Sequence, residues 1–183
     1  MRFMPTIFCI AAWCAGCSGM AGAQTAAGYP AKPVRLSVPW PPGGGTDVFA
    51  RVIGQKLAER IGYAVVIDNR PGAAGNIGAE LVAKSPADGY TIMLATITLA
   101  TNPGMYSYSS WFGFFAPAAT PAGTVAKLNR EIVNILQVPD MKQRLTQDGA
   151  DVVAGTAPEF AAYLAAETKK WAQVIRQAGI RAD

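Results

Sequence analysis

The chain has 183 residues, of which 51% are hydrophobic and 15% charged. That is enough for one ordinary domain with its own core, or two very small ones, and too apolar for a disordered chain. The formal net charge of +4 is scattered, and no run of Lys or Arg alternates with aromatics, so no nucleic-acid partner is expected. Histidine is absent, which removes the commonest general base, the Ser-His-Asp and Cys-His arrangements, and most zinc sites.

In chain order, Arg2 supplies a positive start, Phe3 to Cys17 is apolar, and Ala21-Gly22-Ala23 gives a small-x-small pattern before Gln24. Residues 1–23 therefore read as a secretory signal peptide, with a buried N-terminal helix as the bland alternative. Ala15-Gly16-Cys17 also has the look of a lipoprotein leader, although Cys14 stands where that signal prefers Leu, so a lipid anchor at Cys17 is the other exported form. Cys9, Cys14 and Cys17 all fall in this leader, leaving the mature chain without a thiol nucleophile or a disulfide. The expectation is a soluble exported protein located in the periplasm.

Val34 to Val38 reads as a strand bounded by prolines. Thr46 or Asp47 is the expected cap of a helix whose apolar positions Val48, Ala50, Val52, Ile53, Leu57 and Ile61 keep a helical spacing up to Gly62. A second, unbroken apolar strand covers Ala64 to Asp68, and a helix starts near Gly75 or Asn76 and stops before Pro86. Tyr90 to Thr96 is the third strand; this β-α-β-α-β order predicts a parallel sheet with helices on its faces.

Beyond it, Trp111 to Pro117 reads as one more buried strand, and Thr120-Pro121 as a helix start with Val125, Leu128, Ile132 and Ile135 as its stripe. A short helix is expected over Asp140 to Gln147 and a small strand over Asp151 to Val153. Thr156 and Glu159 have capping-box spacing before a helix carrying Phe160, Leu164, Trp171, Val174 and Ile175, ending at Gly179. The join Tyr106-Ser107-Tyr108-Ser109-Ser110 has no regular element or clear turn signal.

Pro41-Pro42-Gly43-Gly44-Gly45-Thr46-Asp47 follows a parallel-type strand and opens a helix, so it belongs at the carboxyl edge of the sheet. Glycines there let a ligand approach backbone N–H groups at a helix start, and the Thr46 hydroxyl adds a donor; a plain turn is the competing reading. The loop is no nucleotide fingerprint, since Thr-Asp stands where Lys-Ser/Thr is needed and Val48 stands where a dinucleotide loop needs Gly. Arg70 to Asn76 forms a second loop of this kind, whose glycines also suit close helix-to-sheet packing. Thr96, Thr98, Thr101 and Asn102 follow the third strand at the same edge.

Taken together, YPAKPVRLSVPWPPGGGTDVFAR, VVIDNRPGAAGNIGAELVAKSPADGYTIMLAT, NPGMY, SSWFGFFAPAATPAGTVAKLNREIVNIL and PEFAAYLAAETKKWAQVIRQAGI resemble the tripartite tricarboxylate transporter substrate-binding proteins, the Bug family of periplasmic receptors. The resemblance implies one lobe of a type II periplasmic-binding-protein clamshell, an α/β fold with a parallel-type sheet flanked by helices. It implies a small carboxylate ligand (a di- or tricarboxylate, or an amino or aromatic acid), delivery to membrane permease subunits, no cofactor and no catalysis. On this reading the ligand loop falls on Pro42, Gly43, Gly44, Gly45, Thr46 and Asp47, with Thr96 and Thr98 also facing the cleft. The family's second lobe, roughly 100 residues, is missing here between NPGMY and SSWFGFFAP. Residues 24–183 are then a single lobe built from about 30–106 and 109–183, with impaired carboxylate binding. The alternative is a truncated paralogue that folds as one lobe and binds nothing.

Overall fold

A computed structural model describes residues 28–96, 111–147 and 151–177. The expected leader, Cys17, Thr98, Thr101, Asn102, the 106–110 join and the helix end at Gly179 all lie outside the described residues. The elements are β1 (Val34–Val38), α1 (Gly45–Ile61), β2 (Val65–Asn69), a 3-10 turn (Ala73–Gly75), α2 (Asn76–Ala83), β3 (Thr91–Thr96), β4 (Phe112–Phe115), α3 (Ala122–Leu136), α4 (Pro139–Gln147) and α5 (Ala157–Gln177). The strands form one sheet in the order β2-β1-β3-β4.

β1 pairs in parallel with β2 (Val34 opposite Val65, Val38 opposite Asn69) and with β3 (Leu36 opposite Ile92). The chain moves one way across the sheet from β1 to β2 and the other way from β2 to β3. Crossovers of one hand must then lie on opposite faces, and they do. Val34, Leu36, Val38, Ile92 and Leu94 point to the face covered by α1, α3 and α4, through Ala50, Leu57, Leu128, Ile132, Ile135, Met141 and Leu145. Met93, Ala95 and Phe115 point the other way, to Val82 of α2 and Leu164 of α5. Both faces of β3 are covered, which is why it reads as an unbroken apolar run.

The structure adds one strand direction and corrects three local expectations. The last strand, β4, runs antiparallel to β3, with Met93 opposite Phe115 and Thr96 opposite Phe112. α1 starts at Gly45, with Gly44 in extended geometry at its N-cap, so neither Thr46 nor Asp47 is the cap. Pro121 rather than Thr120 stands at the N-cap of α3, and the buried Thr120 hydroxyl finds no partner among the described residues. Asp151 to Val153 forms no strand; Val152 packs against the larger core cluster instead.

The αL turn at Gly62 closes α1 (φ 75°), with its N–H on the Ala58 carbonyl at 3.0 Å. The capping box forms as read: the Thr156 N–H donates to Glu159 Oε2 at 2.7 Å, and the Glu159 N–H reaches Thr156 Oγ1 at 3.4 Å. α5 can lie close over β4 because Gly113 has no side chain; a Cβ there would sit 2.3 Å from Phe160 Cζ.

Candidate functional site

The carboxyl ends of β1, β2 and β3 lie at one edge of the sheet, and β4 begins there, since Phe112 faces Thr96. The order β2-β1-β3 makes the gap between β1 and β3 the point where the chain's direction across the sheet reverses, the place where open α/β sheets receive ligands. The loop after β1, Pro39 to Gly44, emerges at that point.

Within this loop Pro42, Gly43, Gly44 and Gly45 are exposed, Thr46 is half-buried and Asp47 is buried. Gly43 has φ 86°, a conformation that disfavours any side chain. Gly44 and Gly45 do not: neither has a positive φ, a Cβ on Gly45 would meet nothing within 4 Å, and one on Gly44 only the Pro41 carbonyl at 3.8 Å. The fold itself requires glycine only at the first of the three.

Asp47 is the hub of the loop. Its Oδ2 accepts from the Gly43 N–H and from Arg51 Nε, both at 2.9 Å, and its Oδ1 accepts from Asn69 Nδ2 at 3.0 Å. The Arg51 bond first, then the Gly43 N–H, holds the carboxyl down to about 2, against a smaller opposing push from burial. Asn69, at the end of β2, also donates to the Trp40 carbonyl at 3.0 Å, and its Oδ1 lies 3.4 Å from Arg51 Nη2. Asp47 is thus committed to the protein's own donors.

The loop after β2 differs in character. The Arg70 N–H continues the sheet onto the Val38 carbonyl at 2.8 Å, and its guanidinium Nε lies 2.9 and 3.0 Å from the two Asp68 oxygens. Gly72, Ala73, Ala74 and Gly75 all have positive φ, with values of 128°, 47°, 53° and 93°. A Cβ on Gly72 would come within 2.6 Å of Ile77 Cδ1, and one on Gly78 within 2.9 Å of Pro39 Cβ and 3.0 Å of the Arg70 carbonyl. These glycines serve close packing of α2 beside the first loop, the plainer of the two sequence readings.

Thr96 is buried at the end of β3. A shallow groove of about 360 Å³ lined by Lys32, Arg35, Asp88 and Tyr90 lies at the opposite end of the strands, where Lys32 already pairs with Asp88 at 3.3 Å. Sequence reading had not singled out Arg51 or Asn69. The Asp47–Arg51 spacing of four on a helix was the available signal for the first; nothing local marked the second, whose partners are 22 and 29 residues away.

A mostly parallel sheet with helices on both faces and its loops gathered at the switch point defines one doubly wound α/β lobe. The profile of the family described as "Tripartite tricarboxylate transporter family receptor" matches residues 49–109 and 107–180. The chain belongs to that family.

Among its relatives, Protein BugT of Bordetella pertussis is 49% identical over 88 residues, covering 48% of this chain and 27% of that protein. A UPF0065 protein encoded in the tcbD-tcbE intergenic region of Pseudomonas sp. strain P51 is 45% identical over 84 residues, 46% of this chain and 25% of its own. The chain thus spans about a quarter of the length of these relatives. Among solved structures, the periplasmic binding protein BugD aligns with a TM-score of 0.73 at 18% identity, over 85% of this chain and 100% of that one. MatC of Rhodopseudomonas palustris with bound malate aligns at 0.71 and 18%, over 80% and 100%. At that identity the likeness speaks for the fold.

Proposed function

We propose that this chain is a periplasmic solute-binding component of a tripartite tricarboxylate-type transporter, reduced to the first lobe, and that it offers half of a binding cleft for a small carboxylate. The observation that carries the reading is the bare backbone at Gly44 and Gly45. The fold does not need glycine at either position, whereas an incoming carboxylate that must reach N–H groups at the start of α1 does. Thr46 extends the donor set with its hydroxyl, and Thr96 ends β3 at the same edge. MatC is described with malate and another structural neighbour, from R. palustris, with adipate, which supports a dicarboxylate as the ligand class. Membership of a tripartite transporter receptor family supports delivery to membrane permease subunits. Asp47 holds the loop rather than touching ligand.

Binding is weak on this reading, because an enclosing site buries most of a small ligand and a single lobe leaves much of it in water. The test is thermal unfolding of the purified chain with and without ~10 mM malate, citrate, glutamate or an aromatic acid. A dissociation constant near 1 mM adds about 1.4 kcal/mol at ~10 mM ligand, a rise of roughly 3–6 °C for a chain of this size. A cooperative transition that none of these anions moves favours the second reading, a folded lobe that binds no such ligand.

A further inference from the structure

We propose that Asn69 is a positioning residue for the ligand loop, acting with Asp47 and Arg51 as a closed hydrogen-bonded ring that fixes where the Gly44, Gly45 and Thr46 N–H groups point. The inference rests on the reading of that loop as a carboxylate cradle and adds to it a residue from a different strand.

The ring closes through three bonds: Arg51 Nε to Asp47 Oδ2, Asn69 Nδ2 to Asp47 Oδ1, and the longer Arg51 Nη2 to Asn69 Oδ1. Each member is tied to a different element: Asp47 and Arg51 lie one turn apart on α1, and Asn69 ends β2 opposite Val38. Two further bonds run from the ring to the loop. Asn69 Nδ2 holds the Trp40 carbonyl, at the loop's beginning, and Asp47 Oδ2 holds the Gly43 N–H, at its bend. Both hydrogens of the Asn69 amide are therefore used, one on each anchor, and the amide's orientation is set because one end must donate to a carboxylate while the other accepts from a guanidinium.

The consequence is a division of labour among neighbouring N–H groups. The Gly43 N–H is taken by Asp47, and the Val48 N–H is taken by the Gly44 carbonyl at 3.0 Å. Gly44, Gly45, Thr46 and Asp47 lie between these two fixed points, and their N–H groups belong to the first turn, where no intrahelical acceptor exists; Asp47 is buried, which leaves Gly44, Gly45 and Thr46 as the residues a ligand can reach. A loop pinned at Trp40 and Gly43 presents those three donors in one arrangement, whereas an unpinned triglycine loop samples many.

The experiment uses the ¹⁵N-labelled full chain, with amide exchange and sodium malate titration followed residue by residue. In the wild type, the Gly43 amide is expected to be protected and unmoved by malate, while Gly44, Gly45 and Thr46 shift. Asn69→Ala should speed Gly43 exchange by about tenfold or more and weaken the malate response at the other three. Asn69→Asp discriminates bracing from mere packing. It keeps the volume but sets a carboxylate against Asp47 and the Trp40 carbonyl, so it should be the worse of the two, while a packing role makes it harmless. Arg51→Gln opens the ring from α1 and should speed Gly43 exchange if both Asn69 variants fail to fold. Unchanged Gly43 exchange and malate response in every folded variant overturns the proposal. If malate moves no amide of the wild type, the cradle reading falls and the positioning role with it; Gly43 exchange then reports only a structural brace.

Discussion

Asp47 and Gly45 stand two residues apart in the same loop, yet their substitution has opposite expected effects. All of Asp47's partners (Gly43 N–H, Arg51 Nε and Asn69 Nδ2) are donors, so Asp47→Asn replaces an acceptor with a group that must turn an N–H toward donors. The expected cost at neutral pH is about 1–3 kcal/mol, read from denaturant unfolding. Its pH dependence has a definite sign. The folded carboxyl titrates near 2, against 3.8 for the unperturbed group, so on acidification the unfolded chain takes up the proton first. The stabilisation is complete above the unfolded value and disappears as pH falls from about 4 to about 2. The gap between wild type and Asp47→Asn should therefore be wide at pH 7 and narrow near pH 2; a gap that stays constant would show that the carboxylate's charge is not what the loop uses. Gly45→Ala runs the other way. The added methyl meets open space at the first residue of α1, and alanine has less chain entropy to lose, so the lobe should gain about 0.4–1 kcal/mol. Malate binding should fall at the same time. A variant both more stable and equally competent would mean that the ligand does not approach this backbone.

The packing of elements rests on a few positions where a side chain is excluded. Gly113→Ala puts a methyl 2.3 Å from Phe160 Cζ, and the Phe160 ring is held between Trp111 and Phe115, with ring centroids 5.5 Å from each. It cannot swing aside without losing both contacts, so α5 must lift from β4. A loss of roughly 1–3 kcal/mol is expected, seen as a lower melting temperature with tryptophan fluorescence changed through Trp111. Much at this scale was legible in the sequence. The three parallel strands and α1 to α3 follow from apolar runs and 3.6-residue spacing, and the capping box at Thr156 carried its own signature. What escaped is what depends on partners distant in sequence. The antiparallel direction of β4 is set by pairing with β3 and not by its own FGFF pattern, and Asn69's role is set by a carbonyl on another strand. Boundaries moved for a local reason: glycine at Gly44 accepts the extended N-cap geometry without any capping side chain, so α1 begins earlier than Thr46 or Asp47 suggests.

For the whole molecule the informative feature is where β3 ends and β4 begins. Thr96 and Phe112 are register partners, so the chain leaves the sheet and returns to it at neighbouring points. The family profile is matched in two stretches that meet at 107–109, inside the same connection. A lobe assembled from two such segments should not depend on what joins them. Doubling the 15-residue connection from 97 to 111 by inserting ~15 Gly/Ser residues between Ser107 and Tyr108 costs about 0.6 kcal/mol in loop closure, a fall of only about 1–3 °C in melting temperature. A loss of several kcal/mol would mean that the connection is itself part of the core, and the two-segment lobe would have to be given up. The same junction then tests function. Replacing the inserted linker with the residues that follow the matching segment in Protein BugT tests whether a second wall can be added across the carboxyl edge. If the proposed half-cleft lacks enclosure rather than chemistry on the Gly44–Thr46 loop, affinity for the carboxylates of the unfolding series should rise tenfold or more, roughly 1.4 kcal/mol, over the linker control in calorimetry. A chimera that folds and binds no better than the linker control would place the deficit in the first lobe itself, and the triglycine loop would be a turn inherited without its ligand.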